Sequence, residues 1–238
     1  MQYKFHPMMN TFDQRILSFI TNLKFSGKLP ADISLMNPYQ SNQHVMKIVR
    51  AFYKQFYNDN SERHLILGIN PGRLGAGVTG IPFTDTKRLA SHCNIILPEI
   101  ITHEPSSVFV YEMIDAYGGA QSFYNKFYIS SISPLGFLIN KSGKSVNYNY
   151  YDSLALQAAV TPFAVRALKA QLAFGISRKK CFVFGTGKNH KFIESLNTKH
   201  GFFDEIIPLE HPRYIMQYKS KNMAHYLQKY LEAFNSAD

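Results

Sequence analysis

His64-Leu65-Ile66-Leu67-Gly68-Ile69-Asn70-Pro71-Gly72 is an apolar run that stops at a polar, glycine-bearing turn. Short, rich in β-formers and bounded by turn residues, it has the form of a buried strand in a parallel sheet. Lys126 to Ile132, Cys181 to Phe184 and Glu205 to Leu209 share that form. Helical patterns separate the four. Thr11 to Leu23 carries apolar residues at Phe12, Ile16, Phe19, Ile20 and Leu23, and Val45 to Tyr57 repeats the spacing. Thr86 to Leu97, Asn189 to Leu196 and Lys221 to Phe234 are further helices, and Thr161-Pro162 reads as an N-cap with proline at N1, opening a helix to Phe174. Alternating strands and helices predict an α/β fold: a three-layer α/β/α sandwich around a central, mostly parallel four-stranded sheet, with right-handed crossovers. The 238 residues are expected to form one domain, since no repeat or long linker interrupts them.

Composition narrows the function classes. Hydrophobic residues make up 45% and charged residues 18%, the balance of a folded, soluble protein, and no apolar run is long enough for a transmembrane helix. Met1 to His6 lacks the apolar stretch of a signal peptide, so an intracellular location is expected, cytoplasmic or nucleoid in a bacterium and nuclear in a eukaryote. Two cysteines, Cys93 and Cys181, are too few for a disulfide scaffold, a four-cysteine zinc site or an iron–sulfur cluster, and are expected to be reduced core residues. No histidine spacing suits a metal, so neither metal nor cofactor is expected. The net charge of +10 invites an anionic partner. From Ala116 to Ile193 ten Lys/Arg face one acid, Asp152, although a generally basic, solvated surface reads the same way.

In parallel α/β folds the site lies beyond the carboxyl ends of the strands. Four segments qualify: Asn70-Pro71-Gly72, Ser131 to Gly136, Gly185-Thr186-Gly187-Lys188, and Glu210-His211-Pro212-Arg213. The first continues as Arg73-Leu74-Gly75-Ala76-Gly77-Val78-Thr79-Gly80-Ile81-Pro82-Phe83, rich enough in glycine for a ligand to approach the backbone. Asn70 has the donor and acceptor to hold a water, and Phe83 the face to stack on a planar ring. A glycine-rich βα turn with a core phenylalanine is the plainer alternative. His211, pinned by Pro212, suits a general acid or electrostatic stabiliser, and equally a polar surface residue. Gly185 to Lys188 lacks the full spacing of a nucleoside-triphosphate loop; its helix N-terminus and Lys188 suit a backbone phosphate instead.

Gly68-Ile69-Asn70-Pro71-Gly72 with Thr79-Gly80-Ile81-Pro82-Phe83 and the distant His211-Pro212 resembles the uracil-DNA glycosylase superfamily. Within it the chain is most similar to the single-strand-selective monofunctional uracil-DNA glycosylases, whose motif Gly-Met-Asn-Pro-Gly…Thr-Gly-Val-Pro-Phe aligns without gaps from Gly68 to Phe83. The resemblance implies that Asn70 positions the hydrolytic water and His211 stabilises the departing base. It further implies that Phe83 stacks on the flipped base, that the Ile69 amide faces a base carbonyl, and that Gly72 leaves room beside C5 of a pyrimidine. The implied partner is DNA carrying a damaged base, single- or double-stranded, and the expected enzyme is a monomer without membrane association. The reaction is hydrolysis of the N-glycosidic bond of uracil or a 5-modified uracil, leaving an abasic site for base excision repair.

Three departures from the family pattern stand out. Ser131, in Ile129-Ser130-Ser131-Ile132-Ser133-Pro134-Leu135, takes the place of a base-reading asparagine, and a hydroxyl discriminates less well than an amide. His211-Pro212-Arg213-Tyr214 replaces His-Pro-Ser-Pro, which nominates Arg213, Tyr214 and Tyr218 as wedge or phosphate contacts. Arg73 stands where the family usually has proline and adds a cation at the mouth of the site. A glycosylase for deaminated purines, and a lesion-binding protein without catalysis, are the competing expectations.

Overall fold

The computed structural model describes residues 10–41, 43–97 and 100–237. Met1 to His6, on which the expected intracellular location rested, lie outside them. The described residues contain seven strands: β1 (Ile33–Met36), β2 (Arg63–Gly68), β3 (Phe127–Ser131), β4 (Gly136–Lys141), β5 (Lys144–Tyr148), β6 (Ile176–Phe184) and β7 (Glu205–Leu209). The central sheet is wholly parallel, in the order β3-β2-β6-β7. Helices flank it to give the α/β/α sandwich expected from the four apolar runs. β2 is central: Leu65, Ile66 and Leu67 are fully buried, which explains why it reads as a continuous apolar run rather than an alternating one.

A second sheet of three antiparallel strands, β1-β4-β5, lies outside that expectation. Its hairpin turns on Ser142 and Gly143, at φ 50° and 77°, the pair of positive φ angles that a two-residue turn needs to match strand twist. Only its inner half is buried, so it carries Lys141, Lys144 and Asn147 among its apolar residues and gives no apolar run.

The helix expected to open at Thr161 instead spans Leu154–Leu172. Its N-cap is Ser153, whose hydroxyl accepts from the Leu156 N–H at 3.1 Å. Thr161 is interior and donates back to the Gln157 carbonyl at 2.7 Å. Pro162 interrupts one backbone hydrogen bond on the exposed side. Leu156, Val160, Phe163, Ala164, Ala167 and Leu168 bury a continuous stripe across it, and that packing outweighs the break. The helix after the first glycine-rich loop stops at Cys93 rather than Leu97, capped by Asn94 in the left-handed region. Helices Pro105–Ala116, Gly119–Lys126 and Pro212–Tyr218 had no counterpart in the sequence reading. Cys93 and Cys181 are buried and unpaired. Among the described residues no helix is long and apolar enough to cross a membrane.

Candidate active site

All four parallel-strand ends open into one cleft of about 580 Å³. The sheet brings them together in order: Ser131 ends β3, Ile69-Asn70 follow β2, Gly185 follows β6, and Glu210-His211 follow β7. Backbone bonds lock the neighbours. Ile132 N–H donates to Gly68 at 3.1 Å, Ser133 N–H to Ile69 at 3.2 Å, and Gly185 N–H to Leu209 at 2.7 Å.

Asn70 is oriented by the chain leaving the second sheet. Its Oδ1 accepts from the Tyr150 N–H at 3.0 Å, and its Nδ2 donates to the Tyr148 carbonyl at 3.3 Å and, more loosely, to Pro71 at 3.4 Å. With one hydrogen bond accepted, Oδ1 keeps acceptor capacity for a water. The hairpin absent from the sequence reading therefore aims the first candidate residue.

Phe83 sits at φ 53°, a left-handed conformation that costs a non-glycine residue energy and that the surrounding structure must impose. The restraint is visible: Thr79 Oγ1 donates to the Thr84 carbonyl at 2.6 Å, and the Thr84 hydroxyl meets Tyr111 Oη at 3.1 Å. The ring packs edge-on against Phe184, with centroids 5.4 Å apart, and lies 5.7 Å from the His211 ring. Gly68 makes room for it, since a Cβ there would come within 2.9 Å of Phe83 Cε2.

His211 caps the helix Pro212–Tyr218, its Nδ1 accepting from the Arg213 N–H at 3.1 Å. An Nδ1 that accepts carries no proton, so the proton of the neutral ring is on Nε2. Burial pushes its pKa down to about 4, and the Arg213 guanidinium adds to the shift. The ring is thus a neutral hydrogen-bond donor at physiological pH. The Tyr230 hydroxyl, donating to the Glu210 carbonyl, fixes the turn that presents it.

Ile69, Gly72 and the buried Ser131 also line the cleft. On the rim stand Lys188, Arg213, Tyr214 and Tyr218. Lys188 begins the helix Lys188–His200, with its ammonium 5.9 Å from the Tyr151 ring. Arg73 is the one candidate the structure leaves outside: its side chain is exposed and does not line the cleft. Its backbone N–H is donated to Asn147 Oδ1 at 2.9 Å.

Sequence reasoning missed two groups. Asn147, Asn149 and Tyr151 enter from β5 and its exit, while Glu104 enters from the turn before the helix at Pro105. The Ser142-Gly143 turn signalled the hairpin, and the run Asn147-Tyr148-Asn149-Tyr150-Tyr151 is dense in hydrogen-bonding groups. Nothing local marks Glu104. Burial and the nearby Asp85 carboxylate push its carboxyl up to about 7, with Arg213 opposing.

Comparison with known proteins identifies the family and the fold. The sequence model of the Uracil DNA glycosylase superfamily matches residues 54–235. The crystal structure of wild-type Pedobacter heparinus SMUG2 superposes with a TM-score of 0.94 at 51% identity, covering 96% of this chain and 98% of that one. No curated protein matches.

Proposed function

Because the chain belongs to the uracil-DNA glycosylase superfamily, we propose that it is a monofunctional DNA glycosylase that hydrolyses the N-glycosidic bond of uracil or a 5-modified uracil. The described fold acts as one catalytic domain around one cleft. The observation that carries the reading is the pair of oriented groups: Asn70, clamped by Tyr148 and Tyr150, and neutral His211 with its proton on Nε2.

The target nucleotide leaves the stack, at a cost of a few kcal/mol, and its base enters the cleft against Phe83. The Ile69 amide meets a base carbonyl. As the C1′–N1 bond breaks, its electron pair goes to the base and positive charge develops on the sugar. His211 Nε2–H stabilises the charge gathering on O2 of the base. Asn70 Oδ1 holds the water that captures C1′ and gives up its proton to solvent, while the departing base anion takes a proton from solvent, leaving an abasic site with an intact backbone. These dipoles are in place before reaction, and removing one such donor typically costs about 10²–10³ in rate. Lys188, Arg213, Tyr214 and Tyr218 hold the flanking strand by its phosphates and by stacking.

Ser131 carries the second reading. A short hydroxyl in place of an amide leaves space for a deaminated purine. The test is release of free base from oligonucleotides bearing uracil, 5-hydroxymethyluracil, hypoxanthine or xanthine, single- and double-stranded. Release that falls about 10²–10³-fold in both Asn70→Ala and His211→Ala is expected. Undiminished release in both variants, or DNA binding with no release by the wild type, overturns the assignment.

A further inference from the structure

Arg73 stands outside the cleft, yet its backbone is tied to the second sheet by the 2.9 Å bond to Asn147 Oδ1. Asn147 in turn belongs to a regular face of that sheet. Side chains two apart along a strand share a face, and the register sets Ser34 beside Leu138, Leu138 beside Asn147, and Asn140 beside Ser145. Ser34, Asn140, Ser145 and Asn147 are exposed and Leu138 is half-buried, whereas Ile33 and Phe137 of the opposite face lie in the core. An open face of hydroxyl and amide side chains thus runs from the cleft, which Asn147 lines, toward the Ser142-Gly143 turn. Lys141 and Lys144 flank that turn, exposed and directly opposite each other. Like charges so placed cost stability, and neither lysine forms an ion pair among the described residues, with Asp32 before β1 or with any other acid. From Phe127 to Tyr151 the chain holds no Asp or Glu at all. Two unneutralised cations at the end of an uncharged polar face suit a chain of regularly spaced anions.

We infer that the open face of the β1-β4-β5 sheet, with Arg73 at its cleft end and Lys141 and Lys144 at its far end, is a track for the DNA sugar–phosphate backbone on one side of the flipped nucleotide. The inference rests on the proposed glycosylase for its partner and on the second sheet for its place. Lys188, Arg213, Tyr214 and Tyr218 follow β6 and β7, whereas the track leaves from the ends of β2 and β3. The two sets therefore hold different stretches of the strand.

Lys144 lies three residues before Asn147 on β5, which is about 10 Å at roughly 3.3 Å per residue. That span covers about two or three nucleotides at about 3.4 Å per phosphate. The amides and hydroxyls donate to phosphate oxygens whatever the sequence, so the track adds affinity and register without reading bases. Lysines on an edge strand such as β5 also discourage pairing with another sheet. That role alone would leave DNA affinity unmoved.

The experiment measures equilibrium binding of the full chain to single-stranded oligonucleotides bearing 2′-fluoro-2′-deoxyuridine, whose glycosidic bond resists hydrolysis, by fluorescence anisotropy across a salt series. One probe carries long flanks on both sides of the modified nucleotide; two others are trimmed to a single nucleotide on one side or the other. The double variant Lys141→Ala/Lys144→Ala is expected to bind the long probe at least about tenfold more weakly at low salt. Its slope of log affinity against log salt should flatten by about 1.4, at about 0.7 per lost phosphate contact. Arg73→Ala should flatten it by about 0.7, and the charge-keeping Lys141→Arg/Lys144→Arg should retain affinity and slope. The loss disappears when one flank is trimmed and persists when the other is. Affinity within twofold of wild type in the double alanine variant, or a loss that is the same whichever flank is trimmed, overturns the track and leaves the glycosylase standing. A wild type that shows the expected binding but releases no base from hydrolysable oligonucleotides overturns the glycosylase and leaves the track. No DNA binding at all overturns both.

Discussion

Acidification through the range where ordinary histidines titrate should leave His211 uncharged, at a measurable cost to the fold. In the unfolded chain the ring takes a proton near pH 6.5; in the folded protein it does so only near 4. The folded pKa is depressed, so the full stability contribution is present above pH 6.5 and is lost as pH falls toward 4. At pH 4.5 the unfolded ring is almost wholly protonated and the folded ring mostly not, which amounts to about 2.5 kcal/mol at roughly 1.4 kcal/mol per pH unit. That figure is an upper bound, since one edge of the ring faces the open cleft. The structural cause is specific: Nδ1 already accepts from the Arg213 N–H at 3.1 Å, and a second proton would set two donors against each other. Urea unfolding of wild type and His211→Gln at pH 7.5 and 4.5 isolates the contribution from the other titrating groups. The stability difference between the two proteins should shift by about 2 kcal/mol in favour of the variant at the lower pH. Nitrogen-15 NMR of the imidazole should report a neutral ring protonated on Nε2 with a midpoint near 4. A midpoint near 6.5, or a proton on Nδ1, refutes the reasoning and removes the neutral donor from the mechanism.

Gly68→Ala should displace the Phe83 ring, which a Cβ would approach to 2.9 Å, and lower base release about 10–100-fold with the fold retained; circular dichroism beside the excision assay checks both halves. Arg63 is fully buried, paired with Asp59 through two contacts of 2.8 Å and stacked over Phe12 and Tyr57. Arg63→Ala opens a cavity and leaves the Tyr124 and Phe56 carbonyls without their donor, which should cost about 2–4 kcal/mol in urea unfolding, and a loss below 1 kcal/mol would show the arginine to be dispensable. Tyr150→Phe removes the hydroxyl's 2.8 Å bond to Asn189, in the first turn of the helix that Lys188 begins, but keeps the backbone N–H that orients Asn70. It should raise KM severalfold and leave kcat within twofold; a fall in kcat alone would contradict that division.

Much of this architecture was legible locally. β2, β3 and the carboxyl half of β6 announced themselves because they are covered on both faces, and full burial turns a strand into an unbroken apolar run, while the edge strand β7, only partly buried, still carries Ile206, Ile207 and Leu209. Asn70, Phe83, Ser131, Lys188 and His211 followed, since strand ends in such sheets converge by geometry once the strands are identified. The hairpin β4-β5 escaped because half of it faces solvent and mixes lysine and asparagine with its apolar residues. The helix across Pro162 escaped because local propensity forbids what packing of Val160, Phe163 and Ala164 enforces.

By itself, then, the sequence determined the sheet and the chemical types gathered at its carboxyl edge, because periodicity and turn residues act over a few positions. Only the tertiary structure decided how those types are oriented. The tautomer of His211 depends on one backbone N–H and the aim of Asn70 on Tyr148 and Tyr150. It also brought Glu104, which nothing local marks, and Asn147 to Gly72. Through-space proximity between residues distant in the chain leaves no periodic signal, and a carboxyl group's protonation is set by the neighbours that desolvate it.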